Sequence, residues 1–213
     1  MLDGEEVEVN FNDGDTFKIY NGEQAGSRAR IVGFNALESY GPVHRWGDSS
    51  FEYLYEISKE ATLVARNGFW NCKKESGRDG YGRLLVVCDD LALDLIGMGL
   101  AHAYSVDKKP AKKSYLKAQK EAQKEEAGMW KYGVPKQILT SLHSASELGT
   151  VIYDRAISTA DGATELIKHE EIYDTCEVVC IEEGFSCMVF VPFNQRYSTH
   201  RPECLRVKSV VTN

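Results

Sequence analysis

The order of short β-type runs and helical patterns over the first 133 residues restricts the fold of this chain more than any other feature. The β-type runs lie at 5–11, 16–20, 29–34, 69–73 and 84–88, and the helical patterns lie at 51–66, 91–102 and 112–130. Asp48-Ser49-Ser50 supplies N-cap residues for the first helix. Five short antiparallel strands with a helix after the third are typical of an OB-type barrel, whereas a β-sandwich needs about seven strands.

A boundary between two units is predicted at Gly133-Val134-Pro135, because glycine and proline together end the preceding helix. Beyond it the pattern is helical at 136–148 and β-type at 151–157, 176–181, 187–191 and 205–211. We therefore expect an α+β chain in which residues 1–133 form a five-stranded OB-type β-barrel with three helices. Residues 134–213 are expected to form a small C-terminal α+β module whose role the sequence leaves open.

The chain contains six cysteines, namely Cys72, Cys88, Cys176, Cys180, Cys187 and Cys204. Cys72 and Cys88 flank a turn-rich stretch, so they either form a disulfide across a hairpin or remain two buried thiols. The last four lack the paired C-x2-4-C spacing of structural zinc sites, which favours disulfides of open connectivity. Disulfides indicate a secreted, periplasmic or cell-surface protein whose export signal has been removed, although a cytoplasmic location stays open.

The charge of the chain restricts its partners. A formal net charge of -7 argues against a uniformly basic surface, so any nucleic-acid site must be local. No apolar run approaches the roughly 18 residues that cross a bilayer, and no membrane partner is expected. The histidines form no pattern with a nucleophile, and the oligomeric state is left open.

Three short segments carry groups suited to phosphate chemistry. Asp13-Gly14-Asp15-Thr16 places two carboxylates around a flexible glycine, which suits a hard cation but also an ordinary hairpin turn. Arg30 lies inside a β-type run and Glu38 lies just beyond its end. A buried arginine needs a partner, so a structural ion pair with Glu38 or Asp15 is the alternative to a catalytic role. Tyr81-Gly82-Arg83 adds a second arginine where the fifth strand begins.

These segments together resemble the staphylococcal nuclease (thermonuclease) family over about residues 5–133. The resemblance rests on the order of DGDT at 13–16, RIVGFNALE at 30–38, YGR at 81–83 and GMW at 128–130. It implies a calcium-dependent endonuclease that hydrolyses DNA or RNA with little sequence preference and leaves 3'-phosphate ends.

The resemblance also assigns the catalytic side chains. It makes Arg30 and Arg83 the guanidinium groups that bind the scissile phosphate, and Glu38 the carboxylate that activates the attacking water. These roles suit the chemistry, because the equatorial phosphate oxygens gain negative charge and a planar guanidinium offers two parallel donors to them. A carboxylate nearby can accept a proton from water.

The same resemblance implies one Ca2+ ion, held by Asp15, the Asn35 side chain and the Ala36 backbone carbonyl, with Asp13 behind them. The family usually has aspartate and threonine where this chain has Asn35 and Ala36. One formal charge is therefore lost, and we expect weaker calcium binding than in typical members. Tyr81 and Tyr104 match positions near the nucleotide, where they either stack on bases or simply pack.

A second function class stays open. The chain is alternatively a non-catalytic OB-fold module that binds nucleic acid or protein, which Asn35 and the acidic balance favour. Against that alternative, Arg30, Glu38 and Arg83 are all present together.

Overall fold

The computed structural model describes residues 1–148, 152–181 and 186–207. The strands are β1 Val9–Asp13, β2 Thr16–Ile19, β3 Arg28–Ile31, β4 Phe34–Ala36, β5 His44–Trp46, β6 Lys73–Arg78, β7 Leu84–Val87, β8 Ala101–Ala103, β9 Gln137–Ser141, β10 Ile152–Ser158, β11 Thr164–His169, β12 Val178–Ile181 and β13 Ser186–Val189. The helices are α1 Phe51–Asn67, α2 Asp89–Gly97, α3 Lys113–Lys124, α4 Ala145–Leu148 and α5 Phe193–Arg196. Two 3-10 turns span Gly128–Trp130 and Glu203–Leu205.

The first part of the chain is a mixed α+β unit built on a five-stranded sheet of order β1-β2-β3-β7-β6. Strands β3 and β7 are parallel, so the expectation of five antiparallel strands was wrong at this pair. Parallel neighbours need a long crossover, and α1 with β6 supplies it. Strands β4 and β8 pair separately. Closure into an OB-type barrel stays a prediction, because the hydrogen-bonded strands of the described residues form separate sheets.

The hairpin between β1 and β2 carries the paired carboxylates and packs tightly against the rest of the unit. Phe11, Phe17 and Ile19 point into the core, which fixes the register of the two strands. A Cβ atom on Gly14 would lie 2.9 Å from the Cβ of Ala36. Only glycine therefore lets the turn approach β4 this closely.

The helices follow the predicted pattern at their starts better than at their ends. The Ser50 side chain accepts a hydrogen bond from the Tyr53 N–H and caps α1 as expected. The predicted helix at 91–102 was too long, because α2 ends at Gly97 and Ala101–Ala103 pairs with β4. Gly99 has a left-handed φ of +67°, which ends the helix and allows this turn into a strand. The β-type run at 69–73 was shifted, since β6 begins at Lys73.

The C-terminal part contains more strand than predicted. The helix expected at 136–148 was wrong over 137–141, which is strand β9 paired with β10. Strand β11 was not predicted, although it pairs with β10 along its whole length. The strand expected at 205–211 lies partly outside the described residues, and Leu205 ends a 3-10 turn.

The two parts of the chain share a sheet and a core. Strand β5, which follows β4 in the chain, is the third strand of the sheet β12-β13-β5. The Val189 N–H donates to the Val43 carbonyl (2.8 Å), which extends the pairing toward β4. Tyr40 and Val43 join Leu139, Phe190 and Leu205 in a second apolar core. The loop after β4 is thus packed between both parts, while the predicted domain division at residue 133 stays a prediction.

The six cysteines form three disulfides. The pairs are Cys72–Cys88, Cys176–Cys204 and Cys180–Cys187. Three disulfides in a chain of this size are consistent with an extracellular protein. Among the described residues, no helix has the length and apolar character needed to cross a bilayer.

Candidate active site

The predicted site residues gather where the hairpin turn meets strands β3, β4 and β7. Asp13 and Asp15 lie at the turn, and Thr16 is paired with Arg30 across β2 and β3. Arg83 immediately precedes β7, the parallel neighbour of β3. Residues distant in sequence are therefore brought together in one region, the candidate site.

Arg30 connects two of the predicted metal ligands. Its Nη1 forms an ion pair with Asp15 Oδ1, one of the two structural partners considered for this arginine. Its Nη2 donates to Asn35 Oδ1 at 2.7 Å. Side-chain exposures of 15% for Arg30 and 7% for Asp15 make this a largely buried pair. Arg30 thus stabilises the candidate site and also gives it positive charge.

The amide of Asn35 has a fixed orientation. Its Nδ2 donates to the Ala36 carbonyl (2.9 Å) and lies 3.4 Å from His102 Nε2. His102 Nδ1 faces the Ala103 carbonyl at 3.2 Å, so this nitrogen carries the proton and Nε2 is the acceptor. Burial lowers the pKa of His102 to about 4, which keeps the ring neutral. An aspartate at position 35 would have no proton to donate to either acceptor.

The chemistry of the predicted metal ligands suits a hard cation. Asp15 Oδ2 accepts from the Ala36 N–H (2.8 Å) and Oδ1 accepts from the Thr16 hydroxyl (3.1 Å). Asp13 Oδ1 accepts from the Asp15 N–H at 3.1 Å and lies behind these groups. All the atoms that would bind the metal are oxygens, as calcium prefers. Each already accepts a hydrogen bond or ion pair from the protein, and no cluster of three acidic, histidine or cysteine side chains arises in the described ranges. The set therefore fits a weakly held cation.

Glu38 is a half-buried carboxyl with an altered pKa. Burial raises the pKa of Glu38 to about 7, and the charge of Asp13 adds to the rise. Three guanidinium groups oppose that rise, those of Arg196, Arg30 and Arg83. A carboxyl that titrates near neutrality is suited to accept a proton from water.

His44 supports the backbone at Glu38. The Glu38 N–H donates to His44 Nε2 at 3.3 Å. Burial lowers the pKa of His44 to about 3, so the ring stays a neutral acceptor at physiological pH. Sequence reasoning did not assign this histidine a role.

Arg83 is held by a carboxylate that the sequence reasoning missed. Arg83 Nε donates to Asp79 Oδ2 at 2.7 Å, and Asp79 Oδ1 accepts from the backbone N–H groups of Tyr81 and Arg83, both at 2.9 Å. Although partial burial opposes it, these hydrogen bonds lower the pKa of Asp79. The four-residue spacing of Asp79 and Arg83 was the signal available. Arg83 Nη1 also approaches Thr16 Oγ1 (3.4 Å), which places it at the hairpin turn.

The two tyrosines predicted to stack on substrate differ in exposure. Tyr81 is 71% exposed, and the Arg83 guanidinium lies over its ring at 5.4 Å from the centroid. Tyr104 is half-buried, and its N–H donates to the Gly33 carbonyl at 2.9 Å. Its phenol lies within the electrostatic range of Arg30.

Residues 28–132 match the family model described as staphylococcal nuclease homologue. This part of the chain is a staphylococcal nuclease domain. The match confirms the resemblance and indicates a nuclease-type, nucleic-acid-binding function. Arg30, Asn35, Glu38 and Arg83 lie inside the matched range, whereas the hairpin aspartates precede it. No curated protein matches the chain.

The C-terminal segment also lies close to the candidate site of the staphylococcal nuclease domain. Arg196 and Tyr197 contact the ring of Tyr40, two residues after Glu38. No sequence signal connected these residues with the site, because they are far apart along the chain and contribute to no recognised motif.

Gly41 lies where the loop that carries Glu38 meets Leu205. A Cβ atom at position 41 would lie 2.8 Å from Leu205 Cδ2 and 2.9 Å from its Cα. We expect Gly41→Ala to lower the free energy of unfolding by about 1 to 3 kcal/mol, because this side chain and its backbone must shift. Urea denaturation measures the change.

Gly97→Ala is the matched control, since a Cβ atom there meets nothing within 4 Å. Its free energy of unfolding should stay within about 0.5 kcal/mol of the parent or rise. Equal stability of the two variants would show that Leu205 does not press on the loop.

Proposed function

We propose that the chain is a calcium-dependent endonuclease that hydrolyses phosphodiester bonds of DNA and RNA with little sequence preference. The observation that carries the proposal is that Arg30 and Arg83 both meet the hairpin turn, near Glu38, a carboxyl whose pKa is raised by burial to about 7. Such a group accepts a proton near neutral pH, and the guanidinium groups attract a phosphate to it. The staphylococcal nuclease domain type supports the same reaction class.

In the proposed reaction, the scissile phosphate binds between the guanidinium groups of Arg83 and Arg30. Glu38 removes a proton from a water molecule as that water attacks phosphorus. The arginines stabilise the negative charge that develops on the equatorial oxygens. The bond to the 5'-oxygen breaks, and this oxygen keeps the electron pair and takes up a proton from solvent to become a 5'-hydroxyl, which leaves a 3'-phosphate on the other fragment.

Calcium, when bound, would add positive charge next to the phosphate. Asp15, Asn35 Oδ1 and the Ala36 carbonyl would hold it, with Asp13 behind them. We further propose that the five-stranded sheet closes as an OB-type barrel and that the protein acts outside the cytoplasm, as its three disulfides favour.

Incubation with plasmid, single-stranded DNA and RNA tests the proposal. Each substrate is incubated with Ca2+ and, separately, with a chelator. We expect digestion of all three with Ca2+, loss of digestion with chelator, and 3'-phosphate ends on the fragments. Absence of cleavage in Ca2+, Mg2+ and Mn2+ would overturn the nuclease assignment.

Asn35→Asp is expected to lower the calcium concentration that gives half-maximal cleavage. The change adds a charge to the ligand set and removes the amide that donates to the Ala36 carbonyl. A hard cation gains from both effects. Calcium titration of the initial rate measures the shift. An unchanged half-maximal concentration would contradict the expectation.

The second candidate is a module that binds nucleic acid without cutting it. The contacts of Arg30 with Asp15 and Asn35 favour it, because they occupy donors that a substrate phosphate would need. Binding of single-stranded DNA without digestion in any metal would support this candidate.

A further inference from the structure

A short helical turn of the C-terminal segment packs beside the loop that carries Glu38. Helix α5 ends at Arg196, whose Nε donates to the Val191 carbonyl at 2.8 Å. The guanidinium lies over the ring of Tyr40, 5.6 Å from its centroid. The ring of Tyr197 meets the same Tyr40 edge-on, with centroids 5.6 Å apart. Tyr40 is buried, so it fixes both side chains beside the loop that carries Glu38.

Arg196 has no carboxylate partner for its charge within the described part of the chain. Among the described residues it forms no salt bridge, and its Nη atoms donate no hydrogen bond. Arg30 and Arg83, by contrast, each have an aspartate partner. A half-buried guanidinium that is oriented by stacking and by one backbone bond keeps its remaining donors available for a ligand.

Arg196 lies beside the loop that carries the reactive carboxyl. Its guanidinium stacks on Tyr40, which follows Glu38 by two residues. A third guanidinium is therefore placed close to the group that the proposed reaction uses.

Tyr197 offers a flat apolar surface next to this charge. Its side chain is 70% exposed, although the ring packs against Tyr40 in a T-shaped pair. An exposed aromatic ring beside a guanidinium is the combination that binds single-stranded nucleic acid, through base stacking and phosphate pairing.

We propose that the C-terminal segment completes the substrate site, with Arg196 binding a phosphate of the nucleic acid and Tyr197 stacking on an adjacent base. This inference rests on the proposed function. It assigns the segment beyond residue 133 a direct part in binding substrate, and it makes Arg196 a third cation beside Glu38.

The test compares Arg196→Ala and Arg196→Lys with the parent. Steady-state cleavage of a fluorescent single-stranded octanucleotide gives kcat and KM. Binding of the same oligonucleotide is measured in the Glu38→Gln background at several salt concentrations. We expect Arg196→Ala to raise KM about tenfold and to reduce the slope of log affinity against log salt by about one.

The division of the effect between KM and kcat supplies a readout that a merely structural role would not give. Loss of the Arg196 guanidinium should raise KM and leave kcat nearly unchanged, because Arg196 is proposed to bind substrate and not to take part in proton transfer. Arg196→Lys should recover only part of the affinity, since an ammonium group lacks the guanidinium fork.

Tyr197→Phe and Tyr197→Ala separate stacking from the hydroxyl. We expect the phenylalanine variant to bind like the parent and the alanine variant to bind about tenfold more weakly. Arg206→Ala, a change of an exposed arginine in the same segment, is the matched control and should alter neither KM nor the salt slope.

The outcomes distinguish this inference from the proposed function. A parent that binds but does not cut, with weaker binding in Arg196→Ala, supports the inference and overturns the nuclease. Cleavage by the parent with KM and salt slope unchanged in Arg196→Ala and Arg196→Lys overturns the inference alone. A parent that neither binds nor cuts overturns both.

Discussion

Glu38→Gln is expected to lower kcat by about 10² to 10⁴, the range supplied by a single general base. Glutamine keeps the size of the side chain but cannot accept a proton from water. Binding of substrate should persist, because Arg30 and Arg83 are unchanged. Single-turnover cleavage with enzyme in excess, together with an oligonucleotide binding curve, separates these two effects.

The same substitution should alter stability in a pH-dependent way. The pKa of Glu38 is raised from 4.5 to about 7 in the folded protein, so the folded state retains a proton that the unfolded chain releases between these values. The free energy of unfolding therefore falls as pH rises through this window. At pH 8 Glu38→Gln should exceed the parent by about 1 to 3 kcal/mol, and near pH 4 the two should agree.

Glu56→Gln, at an exposed position of α1, serves as the control and should change neither kcat nor the pH dependence of stability. The parent's kcat/KM should rise as pH increases through about 7, as Glu38 loses its proton. A rate that Glu38→Gln leaves within twofold of the parent would remove Glu38 from the reaction.

Arg30→Met is expected to lower the free energy of unfolding by about 3 to 5 kcal/mol. The substitution leaves the buried carboxylate of Asp15 without its cation and removes the donor to Asn35. Cleavage should also fall by at least about 10², because a charge that stabilises the developing phosphate is lost. Urea denaturation and initial rates measure the two losses.

Arg83→Met is the matched comparison, because its pair with Asp79 is more exposed and short in sequence range. It should cost about 1 kcal/mol or less in stability while lowering cleavage to a similar degree. If both variants lost equal stability, the distinction between the buried pair of Arg30 and the more exposed pair of Arg83 would be wrong.

The sequence predicted those parts of the fold that depend on local pattern. Helix α1 has both a cap at Ser50 and an apolar face, so it was placed correctly. Segment 136–148 contains Ile138, Leu139 and Leu142, a short apolar run that fits a helix or a strand equally well. Its pairing with β10 decides for a strand, and that pairing is not visible in local pattern.

The candidate site shows the same limit. Arg30, Glu38 and Arg83 were identified through motifs, and their roles stay predictions. The partners that determine their behaviour were not all foreseen, since Asp79 orients Arg83 and His44 holds the Glu38 backbone. Arg196 stacks on Tyr40, close to Glu38, only because the chain folds back, and contacts of this range have no signature in a single sequence.

The sharing of β5 between the two parts of the chain has a consequence for any shortened version of this protein. A chain cut after residue 133 would lose β13 and leave the hydrogen-bonding edge of His44–Trp46 uncovered. The apolar side chains of Tyr40 and Val43 would face water at the same place. A bare strand edge beside apolar side chains is a template for aggregation between copies, so residues 134–213 also act as a built-in protection against self-association.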